Sequence, residues 1–281
     1  MVREPAMLRE PMMLREPMML GTAVTARVRH AEPVMGTVVS FDVPVTARHD
    51  GSLDAAVRWL HWVDRVFSPY QADSDVSLLA RAEVTVDGCA PEMAEVLAAC
   101  AFVRDLSGGY FTAAPGGQFD PSGYVKGWAV ERAAALLARA GSADHLVNGG
   151  GDVQCAGGRG PGAGGMSTAP WRIGIADPLR PGRLALVVEA RDRAVATSGT
   201  AERGAHILDP HTGSPAAGLA SLTVTGPSLA LADAYATAAV AMGPARARDW
   251  TASLDGYEAY AITDTGDTWQ TPGFASHISP D

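Results

Sequence analysis

The residues that decide the interpretation of this chain are Gly226–Gly243, with the sequence GPSLALADAYATAAVAMG. Ser228 is a suitable N-cap, because its hydroxyl can accept a hydrogen bond from a backbone N–H of the first helical turn. Gly243 and the proline after it end the helix. The intervening residues are mostly Ala, Leu, Val and Met, so the sequence predicts a helix that is buried on nearly all sides.

Asp233 and Thr237 are the polar exceptions in this helix. They are four residues apart, so both side chains project from one face. A carboxylate and a hydroxyl on a buried face need a polar partner, and Mg²⁺ suits them because it prefers oxygen ligands and is often shared with a substrate phosphate. A second interpretation stays open from this stretch alone: Asp233 complements the helix dipole and Thr237 bonds back to a carbonyl.

Composition excludes several classes of function. The net charge is −9 and the chain has no basic run, so we expect no nucleic-acid partner. Its three cysteines have no paired spacing, which argues against a disulfide framework and a zinc site. No segment approaches the roughly 18 apolar residues of a membrane span.

The N-terminus repeats Arg-Glu-Pro at residues 3, 9 and 15. Charges and prolines interrupt it every six residues, so it contains no signal-peptide apolar region. We expect residues 1–30 to form a flexible tail, residues 31–281 to form a single domain, and the protein to be cytoplasmic.

Apolar periodicity predicts the remaining elements. Helices are expected at 52–67, at 91–106, after the loop at 119–131 as far as residue 140, and at 246–254. Strands are expected at 34–44, 110–114, 145–155, 171–175, 183–188, 194–197, 205–213, 222–225 and 257–263. The three glycines inside 145–155 either let a ligand approach the backbone or form a hairpin.

Three further side chains have two open interpretations each. Tyr70, in a turn-rich loop, either stacks on a flat ligand or caps the core. Lys126 lies near a helix N-terminus, where anions bind, but an exposed lysine is common in such turns. His206 is either a base or a satisfied interior histidine.

Seven short motifs are not explained by apolar periodicity, helix caps or turn signals. They are Met35-Gly-Thr37, Phe67-Ser-Pro-Tyr70 with Asp73-Ser74, Asp120-Pro-Ser-Gly-Tyr-Val-Lys126-Gly127, Val147-Asn-Gly-Gly-Gly-Asp152, Thr197-Ser-Gly199, His206-Ile-Leu-Asp-Pro-His-Thr-Gly213 and Ala232-Asp-Ala-Tyr-Ala-Thr-Ala238. Together they resemble the ApbE family of FAD:protein FMN transferases over residues 33–262.

The resemblance implies an α+β fold, a single ApbE-like domain with helices packed on an antiparallel sheet. It implies an enzyme that binds FAD as substrate with Mg²⁺, moves FMN to a Thr or Ser hydroxyl of a target flavoprotein, and releases AMP. Some members of the family instead hydrolyse FAD to FMN and AMP. A non-catalytic FAD-binding carrier is the alternative from another class.

The resemblance also assigns roles to individual residues. It implies FAD contacts at Met35, Tyr70, Thr112, Ala113, Ala114, Asp120, Lys126 and Ile207. It implies a metal site at Gly123 (through its carbonyl), Asp233, Ala236 and Thr237, and catalytic roles for His206 and Asp233. At Ala236 some relatives have Asp, so this chain lacks a carboxylate there. The segment between Thr112 and Asp120 is also shorter than in many relatives.

Overall fold

The computed structural model describes residues 26–159, 169–199 and 207–280. The first half of the described chain contains two strands, β1 (Arg27–Val34) and β2 (Thr37–Pro44), and then mostly helices. The helices are α1 (Thr46–His49), α2 (Ser52–Phe67), α3 (Asp75–Ala80), α4 (Glu92–Leu106) and α5 (Ser122–Arg139). Short 3-10 turns lie at Val86–Gly88 and Pro115–Gly117.

The second half is mostly β-structure. Its strands are β3 (His145–Gly149), β4 (Asp152–Ala156), β5 (Trp171–Ala176), β6 (Leu184–Ala190), β7 (Arg193–Gly199), β8 (Leu219–Gly226), β9 (Glu258–Thr263) and β10 (Thr268–Gln270). Helices α6 (Leu229–Met242) and α7 (Pro244–Thr251) lie between β8 and β9, and a 3-10 turn at Phe274–His277 follows β10.

Eight strands form one sheet in the order β1-β2-β3-β4-β7-β8-β9-β10, and each of these neighbouring pairs is antiparallel. Helices α2, α5 and α6 pack on one face and enclose the larger core. On the other face, the β5–β6 hairpin and Phe274 cover a smaller core that includes Val153 and Val195. The predicted α+β fold, helices on an antiparallel sheet, is confirmed.

Alternation along the strands explains the two cores. In β7, Ala194 and Ala196 contribute to the helix side while Val195 contributes to the opposite side, as the two-residue period of a strand requires. Ser198 continues the parity of Ala194 and Ala196, so this face of the strand turns polar at its end. The end of β7 therefore presents a hydroxyl toward α6.

One predicted strand, 110–114, is absent, and the described part of another, 207–213, is not a strand. The segment 110–114 is irregular because side chains bond its backbone locally: Ser107 Oγ accepts from the Phe111 N–H (3.0 Å), and Thr112 Oγ1 accepts from the Ala114 N–H (3.0 Å). Such bonds compete with a sheet ladder. Within 205–213, residues 205 and 206 lie outside the described residues, and the rest forms a turn with one isolated bridge, Leu208 to Pro215.

The tail predicted at residues 1–30 includes four residues, 27–30, that belong to the first strand. β1 begins at Arg27 and pairs with β2 along its whole length. The Arg27 guanidinium also pairs with the Asp42 carboxylate and donates to the Asp42 carbonyl (2.8 Å). Residues 27–30 therefore belong to the sheet, and residues 1–25 lie outside the described residues.

We expect a chain that begins at Ala26 to keep the melting temperature and FAD affinity of the full chain. This expectation comes from the sequence, in which a proline recurs at every sixth residue from Pro5 to Pro17 and disfavours a regular element. A chain that begins at Ala31 should melt lower, because it loses half of β1 and the Arg27 contacts. Thermal melts and FAD titrations of the three chains test this; a lower melting temperature for the chain from Ala26 would contradict it.

Candidate functional site

Helix α6 has the ends that its sequence predicts. The Ser228 hydroxyl caps it by accepting from the Leu231 N–H (3.3 Å), and Gly243 ends it in a conformation with φ 72°. Glu131 of α5 reaches the same end, where its Oε2 accepts from the Ser228 hydroxyl (2.7 Å) and from the Ala230 N–H (2.9 Å). The carboxylate at the N-terminus of the α6 dipole is therefore that of Glu131.

Asp233 lies in the second turn of α6 and is only 3% exposed. Its Oδ2 accepts a hydrogen bond from the Gly127 N–H of α5 (3.1 Å) and lies 3.3 Å from Lys126 Nζ. The effect of a helix dipole is confined to the first turn, so the dipole interpretation of Asp233 is wrong. Asp233 instead joins α6 to the N-terminal half of α5.

Gly127 permits this close approach, and a second glycine of α5, Gly123, lies on the same face. A Cβ atom at Gly127 would lie 2.6 Å from the Leu229 carbonyl oxygen and 2.9 Å from Asp233 Cβ. One turn earlier, a Cβ at Gly123 would lie 3.8 Å from Thr237 Cγ2. The two glycines thus face the two polar residues of α6, and the Gly123 backbone lies beside Thr237.

Thr237 also contacts the sheet. Its Oγ1 and the Ser198 Oγ of β7 are 3.2 Å apart and share a hydrogen bond. One interpretation of the sequence had the Thr237 hydroxyl bonding to a carbonyl of its own helix. In the structure its partner is instead Ser198, on the neighbouring strand. The polar end of β7 therefore belongs to the same cluster as Asp233.

The three-glycine motif forms a hairpin between β3 and β4. Gly150 and Gly151 both have positive φ (62° and 100°), and Asn148 Oδ1 accepts from the Gly151 N–H (2.9 Å). Asp152, the next residue, is 1% exposed; its Oδ1 accepts from the Thr197 N–H (3.0 Å) and its Oδ2 pairs with Lys126. Of the two interpretations of this motif, the hairpin is confirmed.

Lys126 extends between two buried carboxylates. Its ammonium group contacts Asp152 and Asp233, and its side chain is 25% exposed. The interpretation of Lys126 as a solvated surface lysine is therefore wrong. Sequence reasoning did not select Asp152 as a site residue, although its position directly after a glycine turn at the start of a buried strand was visible.

A second group of predicted residues lies just before α5. The Asp120 N–H donates to the Ala113 carbonyl (2.8 Å), and Asp120 Oδ1 accepts from the Ser122 N–H (2.9 Å). Thr112 and Ala114 flank Ala113 and are held by their own hydrogen bond. The structure thus brings Thr112, Ala113, Ala114 and Asp120 together at the start of the helix that contains Lys126.

The remaining predicted residues lie on separate loops. Met35 forms the β1–β2 turn with φ 55°, and Ile207 is half-buried, with its carbonyl accepting from the Ala216 N–H (2.8 Å). Tyr70 is 92% exposed, so it does not cap the core. His206 lies outside the described residues.

The donor set fits a hard cation that is completed by substrate oxygens. Within the described ranges, no group of three His, Cys, Asp or Glu side chains is arranged to hold a metal. Asp233, Thr237 and the Gly123 carbonyl provide oxygen atoms, whereas Ala236 is fully buried and its methyl group has no donor. The formal charges of Lys126, Asp152 and Asp233 sum to minus one, which a divalent cation would offset.

In the described part of the chain, none of the helices has the length and apolar character needed to cross a membrane.

Comparison with known proteins relates the chain to a family. A sequence model described as the ApbE family matches residues 35–116 and 112–261. The chain is 30% identical over 260 residues to the FAD:protein FMN transferase of Rhodobacter capsulatus, which covers 88% of this chain and 46% of that protein. It is 31% identical over 172 residues to the FAD:protein FMN transferase of Escherichia coli, with 57% and 47% covered. The chain therefore spans about half the length of these curated relatives.

Solved structures share the fold over nearly the whole described chain. The flavin transferase ApbE from Vibrio cholerae superposes with a TM-score of 0.75 at 21% identity, covering 90% of this chain and 99% of that one. The ApbE protein from Thermotoga maritima gives a TM-score of 0.79 at 21% identity, covering 91% and 100%. At this level of identity the superpositions establish a common fold.

Proposed function

Because the chain belongs to the ApbE family, we propose that it is an Mg²⁺-dependent FAD:protein FMN transferase. It moves FMN from FAD to a Thr or Ser hydroxyl of a target flavoprotein and releases AMP. The names of its curated relatives support the FAD and FMN part of this proposal.

One observation carries the proposal: α5 and α6 meet at two glycines and hold an ammonium, a carboxylate and a hydroxyl at their junction. A pyrophosphate carries negative charge that must be neutralised while its P–O bond breaks, so positioning and charge are the main requirements of phosphoryl transfer. The junction supplies both, because each group is fixed by contacts from a second element.

In this proposal Asp233, Thr237 and the Gly123 carbonyl hold Mg²⁺, while Ala236 contributes no side-chain ligand. When bound, Mg²⁺ neutralises and orients the pyrophosphate of FAD. Asp120, Lys126 and the 112–114 segment bind FAD at the entrance to α5, where free N–H groups favour an anion. Met35, Tyr70 and Ile207 line the rest of the FAD site, and the exposed ring of Tyr70 is accessible for stacking on the flavin.

Transfer forms a bond between the acceptor oxygen and the phosphorus of the FMN half, and it breaks the bond from that phosphorus to the oxygen that leaves with AMP. The acceptor hydroxyl must lose its proton to a base within about 3 Å. We propose His206 as this base. With water as the acceptor, the same bond changes would make the protein an FAD pyrophosphatase.

The test is incubation of the full chain with FAD, Mg²⁺ and a peptide or domain that carries an acceptor threonine. We expect mass spectrometry to show addition of FMN to the acceptor and formation of AMP. Free FMN with AMP and no adduct would identify a pyrophosphatase. FAD that binds and remains intact would identify a carrier and contradict the proposal.

We expect Lys126→Ala to weaken FAD binding while turnover at saturating FAD is largely retained. The ammonium lies at the end of α5 that is proposed to bind phosphate, so its removal affects the affinity for the substrate anion. FAD titration and the FAD dependence of turnover measure the two effects separately. Unchanged affinity with abolished turnover would instead place Lys126 among the catalytic residues.

A further inference from the structure

Asp152 is the one buried carboxylate of the cluster to which neither a metal nor FAD has been assigned. It is 1% exposed; its Oδ1 accepts a hydrogen bond from the Thr197 N–H (3.0 Å), and its Oδ2 forms an ion pair with Lys126. A buried carboxylate is costly unless it is paired. We therefore looked to its ion pair with Lys126 to explain why a carboxylate is buried at this position.

Lys126 has two carboxylates within reach. Its ammonium group pairs with the Asp152 carboxylate and lies 3.3 Å from Asp233 Oδ2. A flexible lysine follows the charges around it, because its ammonium is a point charge on a four-carbon stem. Without the charge of Asp152, the ammonium would pair with Asp233 alone and would compete with any cation for that carboxylate.

We propose that Asp152 is a positioning residue that holds the Lys126 ammonium and so lets Asp233 attract a divalent cation. This inference rests on the proposed function, because it concerns the metal site of that function. Asp152 acts through Lys126 and does not itself ligate the metal. Its bond to the Thr197 N–H fixes the carboxylate on the β4–β7 pair, so the ammonium is held from the sheet while Asp233 and Thr237 approach from α6.

Charge arithmetic gives an order of metal affinities. The wild-type triad of Lys126, Asp152 and Asp233 has a net charge of minus one, and Asp152→Asn makes it zero. Lys126→Met makes it minus two, and the double variant Lys126→Met/Asp152→Asn returns it to minus one. Opposite charge in a partly desolvated site strengthens binding of a dication, so Lys126→Met should bind most tightly, wild type and the double variant similarly, and Asp152→Asn most weakly.

The experiment is titration of each full-length variant with Mn²⁺ in the absence of FAD, with free Mn²⁺ followed by electron paramagnetic resonance. We expect Asp152→Asn to weaken binding about tenfold or more, the scale of losing one unit charge at short range. The double variant should recover most of that loss. Asp177→Asn, which alters a buried, ion-paired aspartate in the β5–β6 connection, is the matched control and should bind as wild type does.

Thermal melts show whether each variant is folded. If Lys126→Met does not fold, the comparison of Asp152→Asn with the double variant still tests the inference. A double variant as weak as Asp152→Asn would make Asp152 a ligand or a purely structural group and overturn the inference. Unchanged affinity in Asp152→Asn would overturn this inference and leave the proposed function intact. A wild-type chain that binds no Mn²⁺, either alone or in a second titration with FAD present, would remove the metal site of the proposed function as well.

Discussion

We expect Asp233→Asn to fold and to lose at least about 100-fold in both FMN transfer and FAD hydrolysis. Loss of a single preorganised group that stabilises charge at the reacting centre has effects of this size. Both reactions need neutralisation at the same phosphorus, so both should fall together. The amide keeps the shape of the side chain and removes the charge proposed to bind Mg²⁺.

Folding should survive because the contacts of Asp233 with α5 can be replaced. The Gly127 N–H can donate to the amide oxygen as it does to the carboxylate. Lys126 keeps its pairing with Asp152, so no ammonium is left without a counter-charge. We therefore expect a melting temperature equal to or above that of the wild type.

The measurement is activity against Mg²⁺ concentration, with a thermal melt as the folding control. Thr237→Val should act in the same direction but less strongly, because a neutral ligand contributes less than a charged one. Asp177→Asn, in the β5–β6 connection, controls for loss of a buried aspartate in general. Wild-type activity that is insensitive to EDTA, or a folded and fully active Asp233→Asn protein, would remove the metal site and most of this mechanism.

The second large effect is expected for Gly127→Ala. The added methyl group would lie 2.6 Å from the Leu229 carbonyl oxygen and 3.1 Å from Ala230 Cα, which are backbone atoms that cannot rotate away. Overpacking of this kind costs about 1–3 kcal/mol, occasionally more. Helix α5 must then shift away from α6, so we expect a lower free energy of unfolding together with weaker Mn²⁺ binding.

Gly123→Ala and Gly88→Ala are the controls. A Cβ at Gly123 would be 3.4 Å from the Phe111 ring, and one at Gly88 would be 3.9 Å from Val84 Cβ, so neither requires backbone movement. Because Gly123 is proposed to use its carbonyl, Gly123→Ala should retain metal binding. Urea denaturation and Mn²⁺ titration of the three variants test this; a Gly127→Ala protein as stable as wild type would show that the two helices can separate without cost.

Prediction from sequence succeeded where local physics decides. The 52–67 helix has its observed bounds because its apolar residues repeat with the helical period. It failed at 110–114, where apolar and aromatic residues favour a strand but hydroxyl groups bond the local backbone. The irregular backbone conformation of this segment depends on hydrogen bonds to the hydroxyl groups of Ser107 and Thr112. Hydrophobic periodicity contains no information about such bonds.

The functional residues divide in the same way. The family resemblance indicated Asp120, Gly123, Lys126, Asp233 and Thr237, and the structure brings the last four to one helix junction. It did not indicate that Lys126 would pair with Asp152, or that Ser198 would contact Thr237. Whether these residues bind FAD and metal stays a prediction for the experiments above.

The sequence by itself determined helix α6: its cap at Ser228, its end at Gly243 and the single polar face formed by Asp233 and Thr237. These features depend on residues within a few positions of one another, so local hydrogen bonding and periodicity are sufficient. Only the tertiary structure decided the partners of that face. Gly127 and Asp233 are 106 residues apart in the chain, and their contact exists because the sheet brings α5 and α6 together at positions without side chains. A pairing at that separation depends on the packing of the whole domain.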